Sequence, residues 1–209
     1  NSNLVAEIKV SDVEISVFKK FPFVSLVFHD VKIPEVVNGE SLETYFFEDK
    51  RVFLQFNIID ILKANYRLKR ISVNNSIARI RYFGDGSDNF TFWKSDSTKS
   101  DKDFSLHLSQ FNCSNLSLCF EDSQTDIKFL FDFEELKLNG NFYKEDFDLK
   151  FNTALVANNF VFDKDSLINN LPINSSGNLN VNLVNKELTI NKLNLLAKEV
   201  PLFISGKIN

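Results

Sequence analysis

The chain has 209 residues, 44% of them hydrophobic, with 23 Phe against 4 Tyr and 1 Trp and no Met. That is enough to bury a sizeable core, as one large β unit or as two modest domains. A formal net charge of −4 with no basic run argues against nucleic acid as a partner, and no stretch approaches the roughly 18–20 apolar residues of a membrane-spanning helix.

Period-two alternation dominates from the start. "AEIKVSDVEISVF" sets Ile8 and Val10, then Val13, Ile15 and Val17, on one face, and "VSLVFHDVKI" does the same with Val24, Leu26 and Phe28. "KRVFLQFNI" follows as another strand. In "IIDILKANY", Ile58, Ile59 and Leu62 fall at helical spacing and predict one short helix. "RLKRISVNN" and "SIARIRYF" then read as two further strands.

Next comes "RYFGDGSDNFTFWK", Arg81 to Lys94. Gly and Asp tolerate positive φ and aromatic residues suit a pleated surface, so a hairpin turn accounts for it. Asp85, Asp88 and Asn89 offer calcium-type oxygen ligands, but the EF-hand spacing is missing and no acidic residue closes the loop. No metal is expected there. "SDSTKSDKD", residues 95–103, lacks apolar content and reads as an exposed linker. It divides the chain into a β module over 1–94 and a continuing β module over 104–209.

The second half repeats the signal. Leu116, Leu118 and Phe120 make one strand; Ile127, Phe129, Phe131 and Phe133 the next; Phe147, Leu149 and Phe151 another. Leu179, Val181 and Leu183 follow, then Leu188 and Ile190, then Val200, Leu202 and Ile204. Asn, Asp or Gly stand at the joints, at the spacing of an antiparallel meander. "DKDSLINNLP" predicts a second short helix, capped by Asp163 or Asp165 and stopped before Pro172.

Little in the chain points to chemistry. Cys113 and Cys119, six apart on one strand, would stand roughly 20 Å apart, beyond disulfide reach, so two free thiols are expected. His29 and His107 are isolated in sequence, with no zinc pattern around them. There is no Gly-x-Ser-x-Gly and no phosphate-cradling loop; acidic stretches such as "FEDSQTD" suit solvated edges. The reading is no enzyme, no catalytic residue, no metal and no cofactor. Asn-x-Ser/Thr triplets start at Asn74, Asn89, Asn112, Asn115 and Asn174; in a chain so rich in Asn and Ser, chance accounts for them.

Several consecutive pieces carry a family resemblance. "ISVFKKFPFVSLVFHDVKI" resembles the opening strand pair of AsmA-like proteins of the Gram-negative envelope, where a Phe-Pro corner leads into a strand ending Asp-Val-x-Ile. "DKRVFLQFNIIDILKANYRLKRISVNNSIARIRYFGDGSDNFTFWK" is similar to the continuation of that family. Its Asp85, Gly86, Asn89 and Phe90 match an Asp-Gly-x-x-Asn-aromatic signature. Over 103–209 the likeness is looser and includes the closing "LTINKLNLLAKEVPLFISGKIN". The resemblance implies a long antiparallel sheet curled into a groove or half-barrel, as in TamB-type lipid carriers, with one or two short helices. It also implies a protein of the periplasm tethered to the inner membrane. The start at Asn1 fits an anchor that lies outside this sequence.

On such a sheet every second side chain faces one side. Phe129, Phe131 and Phe133 beside Phe147, Leu149 and Phe151 are the candidate lining of an apolar groove. The expected partners are a phospholipid or another acyl-chain lipid, the membrane, and other envelope proteins; the expected role is lipid handling between membranes or in outer-membrane assembly. Two alternatives stand beside it. One is a β scaffold with a self-filled core acting through protein contacts; the other is a calcium-stabilised module resting on "DGSDN".

Overall fold

The structure, a computed structural model, describes residues 4–16, 22–63, 67–92 and 108–208. Trp93, the 95–103 linker and His107 lie outside the described residues. Ten strands form one sheet in chain order: β1 Asp12–Ser16, β2 Phe23–Val37, β3 Glu40–Asn57, β4 Leu68–Tyr82, β5 Gln110–Asp122, β6 Ile127–Gly140, β7 Asp146–Phe162, β8 Asp165–Asn182, β9 Glu187–Ala197 and β10 Val200–Ile208. β1 and β10 are the two edges and do not pair with each other, so the sheet is not closed into a barrel.

Local chemistry explains the hairpins. Asn38 and Gly39, both at positive φ, turn β2 into β3, and Asp163 and Lys164 do the same between β7 and β8. Asp122 accepts from the Gln124 N–H and the Thr125 hydroxyl to close the β5–β6 turn. The expected short helix is present as α1, Ile58–Leu62, and the Asn57 side chain caps it by accepting from the Ile59 N–H.

Three expectations need correction. The sheet is not a pure antiparallel meander, because β4 and β5 run parallel, from Arg70 opposite Gln110 to Tyr82 opposite Asp122. The second helix is absent: Asp163 forms the turn, Asp165 opens β8, and Pro172 sits within that strand. Pairing with β7 along nearly all of β8 outweighs the weak helical spacing of Ile168 and Leu171. Pro172 is tolerated because β9 pairing begins only at Ile173. The Pro172 carbonyl takes the Lys198 N–H at the end of that ladder. The two runs "RLKRISVNN" and "SIARIRYF" are one strand, β4, carried through Asn75 at φ 60°.

Asn75 belongs to a row. Asp30 on β2 and Asn115 on β5 also have positive φ, and Asn115 donates to the Asn75 side chain at 3.2 Å. Register runs through this level from β2 to β6, with Val31 opposite Asp49, Asp49 opposite Ser76, Ser76 beside Leu116, and Leu116 opposite Phe133. Each strand takes a three-residue step here, as from Cys113 to Leu116, and both of those side chains pack in one cluster with Val73. Each strand thus inserts its extra residue at the same level, and the apolar side stays continuous. β7 lacks the insertion, and register shifts between Phe133 and Glu135.

Two small clusters of buried side chains lie on the apolar side. Val24, Phe56 and Leu68 pack with Ile61 of α1 and with Leu108; Val73, Cys113 and Leu116 pack with Phe133 and Leu136. Along β7 to β10, only Thr153 and Ala157 are buried among the described residues. The chain exposes 13640 Å², where a compact chain of this mass exposes roughly 10,000 Å². A sheet one layer deep leaves much of its apolar side uncovered.

Candidate functional site

Cross-strand partners share a face, so register alone maps the apolar side. From β5 to β8 it runs Phe120, Phe129, Phe160, Ile168; a row further on come Leu118, Phe131, Ala157, Leu171; then Leu116, Phe133, Leu155, Ile173. It continues outward through Ala197, Leu195 and Leu193 of β9 to Val200, Leu202 and Ile204 of β10. Over β5 to β8 the other side is mainly polar. There Asp132 accepts from the Ser117 hydroxyl at 2.6 Å and from the Asn158 amide, while Asn180 donates to Asp146 and Asp148 at 3.0 and 3.2 Å.

Of the six candidate lining residues, all lie on the apolar side and all are half-buried. They do not form one adjacent strip. Phe129, Phe131 and Phe133 pair with Phe160, Ala157 and Leu155 at one end of the β6–β7 ladder. Phe147, Leu149 and Phe151 lie at the other end, opposite Val181, Leu179 and Gly177 of β8. Antiparallel pairing places the start of β7 beside the end of β6, which separates the two groups.

At the first end the aromatics form a row across four strands. Phe120 stacks on Phe129 at 4.8 Å between ring centroids and 6° between planes, Phe129 on Phe131 at 4.5 Å, and Phe129 reaches Phe160 at 6.5 Å. Tyr82 joins through an approach of 6.1 Å to Phe120. Phe120 and Phe160 were missed as lining residues in the sequence, although the alternation in "LSLCF" and "NNFVF" carries them. At the second end Phe142 meets Phe147 edge-on at 5.6 Å. Phe151 lies over Gly177, where an added Cβ would come within 2.7 Å of the ring and 2.6 Å of the Lys192 carbonyl.

Two buried carboxylates brace the first half. Glu35 accepts from the Thr44 hydroxyl at 2.9 Å and the Asn89 amide at 3.1 Å, and it pairs with Arg81 at 3.3 Å. Asn89, fully buried, also accepts from the Arg81 N–H and donates to the Arg79 carbonyl. β3–β4 pairing stops at Phe47 opposite Ala78, so Asn89 satisfies the β4 backbone beyond that point. Asp49 accepts from the Ser76 hydroxyl and from the N–H groups of Arg51 and Asn74; burial raises its pKa above the ordinary carboxylate value despite those bonds. Burial likewise pushes the Cys113 thiol up to about 11. Both cysteines are free and lie on β5, as their spacing implies.

The Gly-Asp-Gly-Ser-Asp-Asn turn spends its ligand oxygens internally. Asp85 accepts from the N–H and hydroxyl of Ser87; Asp88 accepts from the N–H groups of Phe90 and Thr91 and from the Thr91 hydroxyl. Asp85, Asp88 and Asn89 thus each have their side-chain oxygens engaged by groups of the chain itself. The one set of potential metal ligands among the described residues is elsewhere: Asp12, Glu14 and His29, whose ligand atoms lie within 4.8 Å of one another. His29 looked isolated because its neighbours come from the opposite strand, 15 and 17 residues upstream in the sequence.

The described surface carries shallow cavities, the first with a mainly polar lining and the second with a mixed one. One of about 450 Å³ is bordered by Gln110, Asn139, Lys144, Asp148 and Asn180. Another, of about 380 Å³, is bordered by Asn152, Asn174, Leu196 and Phe203. Among the described residues no helix is long and apolar enough to cross a membrane. Compared with known proteins, the chain matches no family model, and no curated protein is significantly similar to it.

Proposed function

We propose that this chain is a non-enzymatic lipid-handling protein whose sheet curls to present its apolar side as a groove for acyl chains. One observation carries the reading: an apolar side extends from β1 to β10, and outside the two buried clusters most of its side chains stay half-exposed. No second sheet faces it among the described residues. An uncovered apolar side of this extent favours contact with hydrocarbon, and each methylene withdrawn from water contributes about 0.8 kcal/mol. The resemblance of residues 5–94 to AsmA-like proteins supports the same reading. On it, the chain works in the periplasm of a Gram-negative envelope, held at the inner membrane, with a phospholipid as its cargo.

The stacked ring row of Phe120, Phe129, Phe131 and Phe160 favours a second reading, a scaffold that fills its own apolar side. Native mass spectrometry and solvent extraction of the purified chain separate the two. The lipid reading expects co-purifying phospholipid and uptake of a fluorescent phospholipid from vesicles. It also expects Phe131→Glu to reduce both while the chain stays folded by circular dichroism. Neither bound lipid nor uptake in the folded native chain would leave the scaffold.

A further inference from the structure

Asp12 and Glu14, two apart on β1, point to the same side of that strand, and Asp12 stands directly opposite His29 on β2. The His29 Nε2 lies 3.5 Å from a Glu14 carboxylate oxygen. That nitrogen is shut off from solvent and makes no hydrogen bond, although the ring as a whole is part-exposed. An imidazole nitrogen shut off from solvent beside a carboxylate, with no hydrogen bond in place, is an unmet polar atom. A cation between the three groups would meet it.

We propose that Asp12, Glu14 and His29 form a binding site for a divalent transition-metal ion, zinc being the best fit. The donor set of one imidazole and two carboxylates suits a borderline ion better than calcium or magnesium, which take oxygen ligands. Zinc at about 2.0–2.2 Å from each ligand sets neighbouring donors roughly 3.3 Å apart. The His29–Glu14 separation already meets that spacing. The remaining spans, at most 4.8 Å, close by rotation of the two exposed carboxylates. Three protein ligands leave the fourth position to water.

The surroundings are consistent with this site. The His29 carbonyl accepts from the Ser11 N–H at 3.0 Å. The Ser11 hydroxyl lies within donating distance of that carbonyl, at 3.1 Å, and of an Asp30 oxygen, at 2.9 Å, which fixes the His29 segment. Arg51, in register with His29 on β3, is the neighbouring cation; its guanidinium lies over the Phe53 ring at 6.0 Å. Bound metal would tie the five-residue edge strand β1 to β2, which otherwise hold each other by one ladder. The site is independent of the lipid reading.

The test uses the whole chain stripped with chelator, with zinc alone as ligand and cobalt as a spectroscopic stand-in. Calorimetry is expected to give one zinc per chain, and cobalt a visible d–d spectrum. His29→Gln and Glu14→Gln should each weaken zinc binding at least about ten-fold, while His107→Gln leaves it unchanged. Zinc should also slow amide exchange within Asp12–Ser16, a readout that unspecific surface binding would not produce. The proposal is overturned by no uptake at about 1 mM zinc, by equal affinity in His29→Gln, or by exchange in β1 that ignores the metal.

Discussion

The stretch from β2 to β5 and the stretch from β7 to β10 use the same alternation but reach different ends. In the first, Val24, Phe56, Leu68, Val73, Cys113 and Leu116 are buried, together with Glu35, Asp49 and Asn89. In the second, β10 is exposed along its whole length, and Leu202 and Phe203 are 46% and 78% accessible. The difference lies in what covers the sheet. Ile61 of α1 and Leu108 fold onto the first cluster, and the turn at Asn89 seals the end of β4. The second stretch rests on backbone ladders and on contacts between neighbouring side chains. An alternating strand therefore supplies an apolar side; whether that side becomes core depends on a separate element laid across it.

The largest expected effect breaks the sealed region. Asn89→Ala removes three hydrogen bonds at a fully buried position and leaves Glu35 and the Arg81 N–H short of partners. A loss of about 3–5 kcal/mol in urea unfolding is expected. A paired measurement tests the contrast directly. Phe56→Ala should cost about 3 kcal/mol or more, whereas Leu202→Ala on β10 should cost under about 1 kcal/mol. Equal costs would erase the distinction between the two regions.

A smaller effect probes the second region where it is tightest. Gly177→Ala drives a methyl against Phe151 and the Lys192 carbonyl, and a loss of about 1–3 kcal/mol in thermal unfolding is expected. The smallest effect concerns protons. Because burial raises the folded-state pKa of Asp49 above 3.8, the folded chain holds that proton more firmly than the unfolded chain. The stabilising contribution is present at low pH and fades as pH rises from about 4 through the raised value. Asp49→Asn should flatten that part of the profile, measured by urea midpoints between pH 3 and 7 against the native chain.

Much of this contrast was unreadable from alternation. The strands, the short helix at 58–62 and the free thiols were legible, because pattern and spacing are local properties. The parallel pairing of β4 with β5 was not, since it depends on the path between them. Nor was the strand through Pro172, where ladder pairing overrides a helical spacing. Asn75 looked like a joint between strands because Asn at positive φ serves turns and bulges alike. The apolar side was legible strand by strand, yet the pairing that parts Phe129 from Phe147 was not. His29 met Asp12 and Glu14 only through register.

The shared level through Asp30, Asn75 and Asn115 has a consequence for how such a chain can change length. Deleting Asn115 alone would keep Leu116, Leu118 and Phe120 on the apolar side, because Cys113, Ser114 and Leu116 would then alternate. It would, however, leave β5 one residue short of both neighbouring strands. Removing one residue at that level from each of the five strands together would restore the match. Indels in this part of the chain are therefore expected to cost least as a concerted set, five strands keeping count with one another.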